Sequence, residues 1–100
     1  MKGITIFIGE NDLHEWVQNE GKSVLMPQLF SALKNLYEED LEKQLAARVK
    51  CQINKRDHTF DFIVNKENSD DTIQKIMEWA LEEEEYELCS EIKQFQETYQ

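Results

Sequence analysis

The hydrophobic period of this chain changes between residues 41 and 45, and neither an all-helical nor an all-β fold accommodates that change. Leu29, Leu33, Leu36, Tyr37 and Leu41 recur at helical spacing behind Pro27, a residue suited to a helix's first turn. Beyond them Leu45, Ala47, Val49, Cys51 and Ile53 step by two, and so do Phe60, Phe62 and Val64. A step of two lines one face of a strand. Between the two runs lie Asn54, Lys55, Arg56, Asp57 and His58, all polar, so the pair reads as a β-hairpin over about 46–53 and 59–65. Its apolar face needs a cover. The helix expected over about 27–43 is the nearest in the chain.

The first residues add a strand. Ile4, Ile6 and Ile8 fall on one face of residues 3–8 and Thr5 and Phe7 on the other, with β-branched residues dominant. Gly9 ends it. Asn11 or Asp12 is placed to cap a short helix through Leu13, Trp16 and Val17, expected to stop at Gly21. The expected fold is therefore α+β in one domain: a small antiparallel-containing sheet of three strands under a helix, with more helix to follow.

Charge divides the chain in two. Residues 1–66 hold ten acids against nine Lys and Arg, whereas residues 67–100 hold eleven acids against two lysines. Nearly all of the net charge of −10 thus sits in the last third. Such a field repels a phosphate backbone, which argues against direct nucleic-acid binding and favours a basic protein partner. No stretch approaches the roughly 18 apolar residues of a membrane span. The opening Met1-Lys2-Gly3-Ile4 alternates, unlike a signal peptide, and Cys51 and Cys89 lack any paired-motif spacing. Reduced thiols and a cytoplasmic location are the expectation.

The acidic third reads as a helical hairpin over about 70–98. Ser69, Asp70 or Asp71 can cap its first helix, and the acids suit the positive end of the dipole. Ile73, Ile76, Met77, Ala80 and Leu81 form one apolar stripe, and Leu88, Ile92, Phe95 and Tyr99 form a second. Glu82 to Glu85 lie between them. A bend there keeps the glutamates in water, whereas one continuous helix would bury some. Two thin helices cannot cover both stripes alone. They must lie on the rest of this chain, on a second copy or on a partner.

Residues 73–97 resemble the UVR motif, the helical hairpin of the excision-repair proteins UvrB and UvrC. The likeness is carried by Met77, Ala80 and Leu81, then Tyr86 and Glu87, then Cys89 and Ser90, then Ile92 and Lys93, at matching spacing. Lys93 stands where the motif has arginine, Gln94 where it has aspartate, and Gln96 where it has an apolar residue. UVR hairpins pair head to tail in dimers or complexes. By this resemblance Met77, Ala80, Leu81, Tyr86, Glu87, Cys89, Ile92 and Lys93 would form or support a protein-binding surface, in a homodimer or with another protein.

Nothing else in the sequence points to chemistry. No His, Cys, Asp and Glu cluster has zinc or EF-hand spacing, and Gly3, Gly9 and Gly21 are too scattered for a phosphate-cradling loop. His14 and His58 read as surface residues, Cys51 and Cys89 as packing residues, and Trp16 and Trp79 as partly buried anchors. The expected role is therefore a non-enzymatic interaction or adaptor protein, without cofactor or metal. The competing expectation is an acidic inhibitor, phage-encoded or cellular, that mimics nucleic acid in the basic groove of a nucleic-acid-binding protein.

Overall fold

In the computed structural model, which describes residues 4–99, three strands and their helices form the expected α+β fold. The order is β1 (Ile4–Gly9), α1 (Leu13–Trp16), a π-helical turn (Val17–Gly21), α2 (Lys22–Glu38), β2 (Lys43–Ile53), β3 (Arg56–Asn65), α3 (Ser69–Glu82) and α4 (Tyr86–Tyr99). Gly3, the expected first residue of the N-terminal strand, lies outside the described residues. The strands stand in the order β1-β2-β3, with β1 parallel to β2 and β2 antiparallel to β3. A parallel pair needs a long crossover, and the helical segment from Leu13 to Glu38 supplies it.

That segment corrects two expected boundaries. Helix does not stop at Gly21 or begin at Pro27; it passes through both. Asp12 caps the start as expected, its carboxylate accepting the Glu15 N–H at 3.1 Å. At Gly21 the wider π turn brings residue i in line with i+5, and the buried glycine lies under the Trp16 ring. Pro27 sits inside α2, where its ring removes one backbone donor. The helix ends at Glu38, not near 43. Asp40 takes a left-handed φ of 51°, and the Leu41 N–H returns to the Leu36 carbonyl at 2.8 Å.

The hairpin is longer than its sequence period suggests. Only Asn54 and Lys55 form the turn, with φ of 53° and 65°, the values of a type I′ turn. Arg56 to His58 therefore belong to β3. A bulge at Ala46 sets the other end. Leu45 faces Ile63 and Ala47 faces Phe62, so Ala46 is the extra residue and the alternation slips by one. Gln44, not Leu45, then turns toward the core opposite Val64, and the buried Gln44 Oε1 has no hydrogen-bond partner.

Helices α2 and α3 lie against one face of the sheet, and α4 packs on both of them. Ile8, Ala47, Val49, Cys51 and Val64 meet Leu25, Leu33, Leu36, Ile73, Ile76 and Ile92 in one apolar cluster. Each fully buried Leu or Ile contributes about 1.5–3 kcal/mol relative to exposure. Aromatic rings fasten α4 to α2: Phe95 lies edge-on to Phe30 and to Tyr37, with centroids 5.7 and 5.5 Å apart. The Ser69 hydroxyl donates to the Lys66 carbonyl, so Tyr37 donates to Ser69 Oγ at 2.7 Å. This bond fixes α2 against the start of α3. It also explains why Ser69 is no cap: Asn68 holds the capping position without a side-chain bond, and Asp70 and Asp71 occupy the first turn.

Candidate interaction surface

The acidic bend is built without glycine. Glu84 takes φ of 58°, the Glu85 N–H bonds the Ala80 carbonyl at 2.8 Å, and the Glu84 N–H bonds Leu81 at 3.2 Å. These paired bonds make a Schellman motif, which satisfies the last carbonyls of α3 and reverses the chain into α4. Lys22 at the start of α2 reaches Glu82 at 2.9 Å and ties the bend to the crossover helix.

The hairpin spends most of its two stripes on its own domain. Ala80, Cys89 and Ile92 are buried, together with Ile73, Ile76, Trp79 and Phe95. They hold the hairpin in place and present nothing outward. Met77 is half-buried beside Gln96, in a groove between the helices lined also by Asp70, Gln74 and Glu78. Glu87 and Lys93 are exposed. Among the hairpin's large apolar side chains, Leu81 at 54% and Tyr86 at 64% exposure are left in water, one on each side of the bend, and Tyr99 is exposed at the far end of α4. So of the eight residues singled out by sequence, three are core, and Leu81 and Tyr86 become the centre of the surface.

Around that centre the field is strongly negative. All eleven carboxylates of residues 67–100 are exposed. Glu82 to Glu85 lie between Leu81 and Tyr86 in sequence, and Glu87 follows at once. A partner cation approaching Leu81 or Tyr86 meets several carboxylates within a Debye length, roughly 8 Å at physiological salt.

Among the described residues no helix covers the opposite face of the sheet, which offers a second surface. Thr5, Phe7, Arg48, Lys50, Thr59, Asp61 and Ile63 line it, and all seven are exposed. Arg48 and Asp61 stand directly opposite each other, with Nε to Oδ1 at 2.7 Å and a second bond at 3.1 Å. The guanidinium holds the Asp61 carboxyl below the usual carboxylate range, first through the hydrogen bonds. Lys66 does the same to Asp40 at the end of α2. The sequence period placed Phe7 on this face but gave no sign that the face would stay uncovered.

Trp16, Trp79, Cys51 and Cys89 are all buried, the two cysteines as free thiols. Among the described residues no three His, Cys, Asp or Glu side chains gather as a metal cage. No described helix is long and apolar enough to cross a membrane. The chain matches no family model, no curated protein and no solved structure.

Proposed function

We propose that this chain is a non-enzymatic binding module that docks a basic partner protein on the outer side of its C-terminal hairpin. The observation that carries the reading is the exposure of Leu81 and Tyr86 on both sides of Glu82 and the three-glutamate bend that follows it. Apolar anchors within a rim of one charge suit a partner whose apolar socket is rimmed by Lys and Arg. Pairing two such bends in a homodimer would set four glutamates of one copy against four of the other. The occupant is therefore a different protein. The likeness of residues 73–97 to UVR hairpins supports the same use of a two-helix unit, narrowed here to the side chains that remain outside. Two reduced thiols fit a cytoplasmic setting.

The test is capture by the intact protein from its source cells at low and moderate ionic strength, with the variant L81A/Y86A beside it. A basic protein held at both ionic strengths by the wild type, and lost by the variant, is the expected result. Retention that ignores L81A/Y86A overturns the reading.

The exposure of all eleven C-terminal carboxylates favours one second reading, a nucleic-acid mimic seated in a basic groove. That reading expects a nuclease or polymerase at low salt only, unaffected by L81A/Y86A. Replacing Glu82 to Glu85 by glutamine would then release it.

A further inference from the structure

Edge strands are normally guarded by charge, proline, bulges or a covering segment. The sheet's two edges differ in this respect. The β3 edge carries Arg56, Asp57 and Asp61. Strand β1 forms the other edge; Ile4–Gly9 contains no charge and no proline, and its one guard is a bulge at Ile8, beyond the regular run Ile4–Phe7. Five of its residues, Ile4, Thr5, Ile6, Phe7 and Ile8, are β-branched or aromatic, the types that favour pairing. Phe7 is 75% exposed, with the Lys50 ammonium 5.6 Å from its ring centroid.

We infer that β1 pairs antiparallel with β1 of a second copy, about a twofold axis at Ile6, joining two three-stranded sheets into one of six. The strand is complementary to itself in this register. Ile6 meets Ile6 and Thr5 meets Phe7 within the regular run, and Ile4 reaches the bulged Ile8 at either end, so isoleucines stay on the core side and Thr and Phe on the open side of both copies. Phe7 gains a cross-strand neighbour where it now has water.

Charge also selects a second copy at this edge. The helix α3 packs on β3 and on α2, so the hairpin stands over the far side of the sheet. Two copies joined at β1 keep their acidic hairpins at opposite ends. The outer strands of a six-stranded sheet lie roughly 24 Å apart, about three Debye lengths at physiological salt. No ionised side chain on either β1 opposes the contact. The closed twofold pair also leaves no unguarded edge for further growth.

Sedimentation equilibrium of the full chain, at up to about 200 μM to suit the affinity of so small an interface, tests this. The expected mass is twice the 11.9 kDa of the monomer. T5K/F7K sets lysine opposite lysine on exposed positions and is expected to be monomeric with unchanged circular dichroism. T5E/F7K sets glutamate opposite lysine in the same register and is expected to dimerise again. In the wild type, alternate β1 amides gain exchange protection as concentration rises, a readout independent of any variant. A monomeric wild type, concentration-independent exchange, or a T5K/F7K dimer overturns the inference, and a monomeric T5E/F7K overturns the register. L81A/Y86A remains dimeric here while losing its partner, so the two proposals fail separately; a dimer broken by L81A/Y86A would move the contact to the hairpin.

Discussion

Trp16 lies so close over Gly21 that a Cβ at position 21 would stand 2.7 Å from the indole Cε3 and 2.8 Å from the Trp16 carbonyl oxygen. The second of these neighbours is backbone and cannot rotate away. In an ordinary helix interior, replacing glycine by alanine gains about 1 kcal/mol. Here the sign reverses, because the added methyl forces the ring or the π turn to shift.

Gly21→Ala is accordingly expected to lose about 1–3 kcal/mol, the range of a methyl forced into a packed site. Urea unfolding monitored by tryptophan fluorescence reads the loss directly. A stabilised variant would show that the π turn relaxes without cost.

The opposite sign is expected at two turns. Glu84 and Lys55 hold φ of 58° and 65°, where a Cβ meets the following carbonyl. Glu84→Gly and Lys55→Gly should each gain about 0.5–1 kcal/mol, less the extra freedom glycine gives the unfolded chain. The two sites lie in different elements, so the gains should add in the double variant. Thermal melts that shift downward for either would show that its side chain matters more than its backbone.

These turns also mark where the sequence stopped being legible. Period two reveals the strands, but in the sequence the Asn and Lys of the tight turn belong to a polar run of five, Asn54 to His58. A type I′ turn is signalled by Asn-Gly, and here lysine takes the glycine position. The π turn was hidden for the same kind of reason. Gly21 is a common helix stop, and only the contact with Trp16 shows why the helix runs on. The bulge at Ala46 swapped Gln44 for Leu45 on the core face, since Ala46 and Ala47 are equally acceptable inside. The C-terminal helices were legible almost to the residue, because their stripes are strong and their glutamates cannot be buried. Which of those stripes faced outward was not, since Ala80, Leu81, Cys89 and Ile92 look alike until α2 is in place.

The Arg48–Asp61 pair predicts a pH dependence. The Asp61 carboxyl lies below its ordinary value of 3.8 in the folded chain, so its contribution is present above about pH 4. It is lost as pH falls through the folded value. Asp61→Asn should therefore be less stable than wild type at neutral pH, and the gap should start to narrow as pH falls below about 4. A gap that does not narrow at all on acidification below about pH 4 would assign the effect to shape and not to charge. The raised Arg48 value acts at the opposite limit and changes nothing in this window.

The division of the hairpin into an inward and an outward set makes the last prediction. Ile92 is fully buried, and cutting it to alanine leaves a cavity among α2, α3 and α4, expected to cost about 2–5 kcal/mol. Leu81 and Tyr86 are more than half exposed, so L81A/Y86A should change stability by no more than about 0.5 kcal/mol per site. If the hairpin merely closed the core, every apolar residue on it would register in unfolding, in proportion to its size. A docking surface instead separates the two readouts: Ile92→Ala lowers stability, while L81A/Y86A leaves stability alone and removes the partner. Chemical denaturation and partner capture, run on the same two proteins, distinguish the cases. A large loss of stability in L81A/Y86A would return both side chains to a structural role.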